Sequence, residues 1–322
     1  MQAQSNAPSD RSLVDITVGE VGPRDGLQSI KAIMPTEAKH RWIEALAAAG
    51  LREIEVGSFV SPKLLPQMAD AAEVVHRARQ IPGLDVLALA PNLKYATLAI
   101  AAGAHKVTMP VSASRTHSQR NIHMTPEQAI EQVRLVCELR DSSALPRPQI
   151  EVGISTAFGC TIEGPVSEDW VMQMALMLVA AGADSIGLSD GSGYANPAQV
   201  RRMFTRLKRE IGNKSGAAHL HNTRGQGLAN VVAALDAGVT TFDASQGGLG
   251  GCPYAPGATG NIVTEDLVFL LEAMGLRTGI DIDRLLAARA VLATALPGEP
   301  LYGYVVDAGV PKGFAPTALT AA

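Results

Sequence analysis

The sequence predicts a closed (β/α)8 barrel, an α/β TIM-barrel fold with extra C-terminal helices and a tail. Three observations predict it. First, an Ala-rich helical stretch ends at Ala-Gly four times, at Gly50, Gly103, Gly182 and Gly238, and a β-like run begins three residues after each glycine. Such a glycine is the expected left-handed stop of a helix. Second, these glycines stand 53, 79 and 56 residues apart, too far for one βα unit and right for two. Third, the 322 residues are 47% hydrophobic but only 4% aromatic, so the core must be packed with Ala, Val, Leu and Ile. That suits parallel strands under Ala-rich helices better than a β-sandwich.

The elements follow in order. Strands are expected at residues 16–21, 53–56, 86–90, 106–109, 150–154, 185–188, 217–220 and 241–244. Helical patterns occupy 36–49, 68–80, 126–140, 169–181, 197–211 and 225–237, and two more follow the last strand at 264–274 and 283–294. Strict alternation implies a parallel sheet with right-handed crossovers. Eight units in roughly 250 residues match a closed barrel, with a doubly wound sheet as the alternative. Residues 1–12 read as a flexible tail, 13–296 as the barrel with its added helices, and 297–322 as a Gly/Pro-rich tail.

A net charge of −4 argues against a polyanion binder, so no nucleic-acid partner is expected. No apolar run reaches the ~18 residues of a membrane helix, and residues 1–12 lack the apolar core of a secretory signal. Three cysteines without a C-x-x-C pair fit a reducing compartment. The expected location is the cytoplasm, and the expected assembly is a homo-oligomer, a dimer or tetramer.

Barrel catalysis takes place at the C-terminal ends of the strands, and the unusual polar residues fall there. Strand 1 runs into Arg24-Asp25-Gly26-Leu27-Gln28. Strand 2 carries Glu55 and Ser58, strand 6 ends at Asp190, and strand 7 carries His219 and His221. Two histidines at i and i+2 on a strand point to one face. Two imidazoles need a carboxylate to complete a divalent site, and Asp25 is the natural third ligand. Asn261, in the glycine-rich loop after strand 8, could add an amide oxygen. This donor set suits Mg²⁺ or Mn²⁺ and would also hold Zn²⁺. Arg24 could steady an oxyanion, and Cys252 in the glycine loop could move a proton. His117 and its neighbours follow strand 4 and face the mouth. Cys137, on the periodic face of a helix, reads as packing.

Val21-Gly22-Pro23-Arg24-Asp25-Gly26-Leu27-Gln28, Glu55 with Ser58-Phe59-Val60-Ser61-Pro62, the HLHNTRGQGLAN run from His219 and the GGLGGCPYAPGATGN run from Gly247 together resemble the 3-hydroxy-3-methylglutaryl-CoA lyase family. The resemblance spans about residues 15–290. It implies a metal-dependent retro-Claisen cleavage of 3-hydroxy-3-methylglutaryl-CoA to acetyl-CoA and acetoacetate. Asp25, His219, His221 and Asn261 would hold the metal, and Arg24 would stabilise the enolate oxygen. Cys252 would transfer a proton, and Glu55 and Asp190 would support Arg24 and the substrate hydroxyl. Gln28, Ser58, Arg115 and His117 would touch the acyl-CoA. The chain departs from the family pattern at Arg115, Gly191, Asn222 and Arg224, all expected near the mouth. Those departures keep three alternatives open: a lyase for another carboxylated 3-hydroxyacyl-CoA, citramalyl-CoA-like or longer and branched; a Claisen-condensing synthase; and a non-enzymatic acyl-CoA-binding protein.

Overall fold

In the computed structural model, which describes residues 14–142, 147–250 and 260–317, all the expected strands form and the sheet closes on itself. They are β1 (Thr17–Glu20), β2 (Glu53–Ser58), β3 (Asp85–Leu89), β4 (Lys106–Ser112), β5 (Gln149–Ser155), β6 (Ser185–Asp190), β7 (Ser215–Leu220) and β8 (Thr241–Ala244). Each pairs in parallel with the next, and β8 returns to β1 in register from Thr17↔Thr241 to Glu20↔Ala244.

Around the barrel lie α1 (Thr36–Ala48), α2 (Ala71–Ala78), α3 (Leu93–Ala102), α4 (Arg115–Ile122), α5 (Pro126–Ser142), α6 (Glu168–Ala180), α7 (Pro197–Ile211) and α8 (Gly227–Asp236). They are followed by α9 (Thr264–Ala273), α10 (Ile282–Ala295) and α11 (Tyr304–Ala308). The four glycines of the Ala-Gly joints all have positive φ, between 82° and 111°. A β-carbon on Gly50 would also strike the Gly279 carbonyl. Side chains of Asn92, Ser114, Ser167, Asn196 and Asp281 cap α3, α4, α6, α7 and α10 by accepting a backbone N–H three residues on. The aliphatic core fills the layer between strands and helices, with Val86, Val107, Ile150, Ile186, Leu188 and Phe242 fully buried there.

Three departures from the sequence reading bear on the site. β4 and β5 run past their expected last residues, so Ser112 and Ser155 join Ser58 and Asp190 on strands. The polar stretch after β4 is α4, started by the Ser114 cap. The Gly/Pro-rich tail contains α11, whose first amides, on Tyr304 and Val305, are held by the Asp266 carboxylate at 3.0 and 2.8 Å. Among the described residues no helix is long and apolar enough to cross a membrane.

Candidate active site and metal centre

β1 ends in a single π-helical turn, Gly22–Gly26. The Val21 carbonyl accepts from the amides of Arg24, Asp25 and Gly26 at 3.1, 2.7 and 3.3 Å, which winds both charged residues over the barrel mouth. The Arg24 Nε donates to Glu55 Oε2 at 2.5 Å and its Nη1 to Asp25 Oδ1 at 2.6 Å. The Thr108 hydroxyl donates to the other Glu55 oxygen. Burial pushes the Glu55 carboxyl up, and Arg24 opposes that push. The guanidinium is therefore buried, fixed and charged.

Glu55 and Ser58 both line the central cavity, although three residues apart on a regular strand they would face opposite ways. A bulge resolves this. Glu55 pairs with Leu87, but Gly57 pairs with Ala88 and Ser58 with Leu89, so Val56 is the extra residue. The side-chain alternation flips there. Gly57 then packs on Ala71 of α2, where a β-carbon would lie 3.1 Å from the alanine's.

His219 and His221 leave β7 on one face, with Nε2 atoms 3.2 Å apart. His219 Nδ1 contacts Asp243 Oδ2 at 3.1 Å. Burial would lower the His219 pKa, but the Asp243 and Asp25 carboxylates together raise it. A carboxylate on Nδ1 turns Nε2 toward the mouth. One ligand atom each from Asp25, His219 and His221 lies within 4.8 Å of the others. Burial raises the Asp25 carboxyl, yet Arg24, the two histidines and the Asn261 amide hold it at about 2. It is a carboxylate at neutral pH.

Asn261 is brought in by an isolated bridge to His221. Its Nδ2 donates to Asp25 Oδ2 at 2.7 Å and to the Leu249 carbonyl at 3.0 Å, while its buried Oδ1 has no hydrogen-bond partner. The set fits a divalent cation. Donors about 2.1 Å from an octahedral ion lie ~3.0 Å apart, close to the spacing of the two Nε2 atoms, and the orphaned amide oxygen is a fourth donor.

The cavity above these groups has a volume of about 620 Å³. Gln28, Ser58 and His117 line it. Gln28 Oε1 and Ser58 Oγ are buried without partners, and His117 Nδ1 meets the Ser112 hydroxyl at 3.0 Å. Burial lowers the His117 pKa. Arg120, Asn121 and Asn92 line the mouth as well and were not singled out from sequence. Nor was Asp243, whose signal was available: an acid in β8 at the position paired with His219. Cys252 lies outside the described residues. Cys137 is buried on α5 and its thiol is pushed up to about 11 by burial, as packing requires.

Two expectations need correction. Asp190 does not line the cavity. It is 1% exposed, and its oxygens accept from the Tyr194 and Ala195 amides at 2.9 and 3.0 Å and from Ser192 at 3.3 Å. Burial pushes this carboxyl up to about 6. It anchors the loop after β6 and does not reach Arg24 or the metal ligands. Arg115 also stays out of the cavity. It stands in the first turn of α4, exposed, paired with Glu127 and stacked 5.7 Å over the Trp170 ring. Helical winding sends it outward while His117, two residues on, turns in. Arg224 is likewise occupied, donating to the carbonyls of Ser192 and Gly193. The Asn222 side-chain Oδ1 accepts from the Gly227 amide at 3.0 Å.

Known proteins resemble this chain over most of its length. The HMGL-like family model matches residues 15–292. A mitochondrial hydroxymethylglutaryl-CoA lyase of Gallus gallus is 40% identical over 281 residues, 87% of this chain and 93% of its own. A cytoplasmic 3-hydroxy-3-methylglutaryl-CoA lyase of Mus musculus is 39% identical over 281 residues, 87% of this chain and 81% of its own. Among solved structures, an HMG-CoA lyase from Acinetobacter baumannii, in complex with coenzyme A and 3-methylmalate, is 38% identical. It superposes with a TM-score of 0.87 over 96% of this chain and 99% of its own.

Proposed function

The chain belongs to the HMGL-like family, and on that premise we propose that it is a carbon–carbon lyase cleaving 3-hydroxy-3-methylglutaryl-CoA to acetyl-CoA and acetoacetate. The observation that carries this reading is the convergence of Asp25, His219 and His221 beside the Arg24–Glu55 pair in one cavity.

Asp25, His219, His221 and Asn261 would hold Mg²⁺ or Mn²⁺, and such an ion supplies Lewis acidity toward the substrate's oxygens. The residues do the rest. The bond to break joins the thioester's α-carbon to the carbon bearing the hydroxyl. As it breaks, the hydroxyl loses its proton and becomes a ketone, and the bonding pair passes to the thioester as an enolate. Arg24 is buried and already fixed by Glu55, so it meets the enolate oxygen without reorganising. Gln28 and Ser58 offer unpartnered polar atoms to the acyl group, and His117 faces the same space. The proton that quenches the enolate carbon comes, on the sequence motif alone, from Cys252. The alternative substrates drew on Arg115, Gly191, Asn222 and Arg224; of these only Gly191 lines the cavity. The proposal includes a homo-oligomer, dimer or tetramer, measurable by sedimentation, and a cytoplasmic location, measurable by fractionation.

The test is steady-state turnover of 3-hydroxy-3-methylglutaryl-CoA with added Mg²⁺ or Mn²⁺, following acetyl-CoA and acetoacetate together. Absence of both products, with cleavage of another 3-hydroxyacyl-CoA, would move the assignment to that substrate. Release of free CoA from acetyl-CoA plus a 2-oxoacid would move it to a synthase.

A further inference from the structure

The C-terminal segment has a connection to the metal end of the barrel that runs through one arginine. Arg289 on α10 directs a single nitrogen, Nη1, at two acceptors: Glu265 Oε1 at 2.9 Å and the Tyr302 carbonyl at 2.8 Å. Both acceptors belong to residues that grip Gly247. The other Glu265 oxygen accepts the Gly247 amide at 3.1 Å, and the Tyr302 amide donates to the Gly247 carbonyl at 2.8 Å. Gly247 is thus held at both of its backbone polar groups, in a left-handed conformation with φ 69°. Leu301 packs against it, 3.0 Å from where a β-carbon would stand.

What Gly247 begins, the next three residues deliver to the ligands. The Leu249 carbonyl takes the Asn261 Nδ2, and Gly250 lies so close that a β-carbon would collide with that amide and come within 2.9 Å of Asp25 Oδ2. A shift of residues 247–250 therefore moves the two oxygen donors, Asp25 and Asn261. His219, carried by β7, is braced from another side by Asp243.

We infer that Arg289 is a positioning residue of the metal centre, and that the segment 301–303 is the strap through which it acts. The inference rests on the ligand set proposed above. It makes the Gly/Pro-rich tail part of the site's scaffold, because the tail fixes the backbone whose carbonyl sets which way the Asn261 amide faces. A loosened strap weakens cation binding through the oxygen donors while the imidazole pair stays in place.

The measurement is Mn²⁺ binding to the apo protein by electron paramagnetic resonance, with thermal unfolding alongside. Arg289→Met leaves Glu265 buried without its cation and can unfold the chain. The second variant, Arg289→Met with Glu265→Gln, removes that charge and keeps an acceptor for the Gly247 amide. The expected result is that the double variant folds with a melting temperature near the parent's and binds Mn²⁺ ~10-fold more weakly. Arg289→Lys, which keeps a donor for both acceptors, restores most of the affinity. A folded double variant with parental Mn²⁺ affinity overturns the inference and leaves the metal reading intact. A parent chain that binds no Mn²⁺ overturns both.

Discussion

The two faces of the same strands have opposite compositions. Toward the helices they present Val86, Val107, Ile150, Ile186, Leu188 and Phe242, all fully buried. Toward the axis they present Glu55, Thr108, Glu151, Ser189, His219 and Asp243, which line the cavity, with Gly153 and Gly187 between them. Barrel interiors are usually filled by layers of branched side chains; here, apart from Leu87 and Leu89 of β3, much of that filling is replaced by acids, hydroxyls and glycine. Deeper in, Lys106 donates to Glu53 at 2.7 Å and Glu151 at 3.3 Å. Burial pushes the Glu151 carboxyl up to about 7 against the pull of Lys106. Gly19 has no room for more than hydrogen, because Asp243 Oδ1 lies 2.8 Å from where its β-carbon would be. The difference teaches a division of labour. Stability comes from the outer layer, where apolar area leaves water, and the inner face is given over to charge.

Substitutions on the two faces should therefore separate turnover from stability. The largest effect is expected inside. Arg24→Met should lower kcat ~10³-fold, about 4 kcal/mol, while Mn²⁺ binding persists; retained turnover would remove Arg24 from the oxyanion role. Next comes the outer layer. Leu188→Ala should cost about 3 kcal/mol in denaturant unfolding, with kcat per folded molecule unchanged. A loss of kcat matching Arg24→Met would erase the division. Third, Asp243→Asn, which touches His219 but lies behind the ligands, should weaken Mn²⁺ affinity by about 10–100-fold in titration. The smallest effect, taken per unit of pH, belongs to the exception in the outer layer, Glu20. Its buried carboxylate accepts from the amides of Gly22 and Gln246 at 2.8 and 2.9 Å and from Thr264 at 2.7 Å. Burial pushes it up to about 8 from an ordinary 4.5. The folded chain then holds a proton that the unfolded chain has lost, so stability falls as pH rises from 4.5 to 8, by up to ~1.4 kcal/mol per pH unit. Glu20→Gln should flatten that slope between pH 5 and 8 in denaturant titrations; parallel slopes for the two proteins would mean that Glu20 is ionised when folded.

The outer layer was the more legible of the two in sequence. Its signals are local: runs of Val and Ile, Ala-rich helices, and a glycine that must adopt positive φ at each joint. The inner face was legible where spacing alone decides direction, as in the two histidines on β7. It was not legible where the backbone departs from regular alternation. No residue type announces the extra Val56 that turns Ser58 inward, and the π turn at Gly22 is visible only through its hydrogen bonds. Asp190 and Arg115 were misplaced for a related reason. Each lies near the C-terminal end of a strand by sequence, yet the competing donors and acceptors nearby, the Tyr194 and Ala195 amides and the Glu127 carboxylate, are known only once the chain is folded. Asp243 went unclaimed because its meaning depends on the register of β8 against β7, which sets it opposite His219.

The scarcity of aromatic residues leaves the protein with two tryptophans, and their placement makes a natural optical probe. Trp42 is fully buried on α1, and its indole Nε1 donates to Gln246 Oε1 at 2.7 Å. The same ring closes over Gly22, 2.9 Å from where a β-carbon would stand. It therefore touches both chain segments that lead to the oxygen donors, one leaving β1 and one leaving β8. Trp170 lies on α6 with its indole on the Ala113 carbonyl. Replacing Trp170 by Phe isolates a single fluorophore whose emission reports on the approach to the metal centre, so cation loading can be followed in real time without a label.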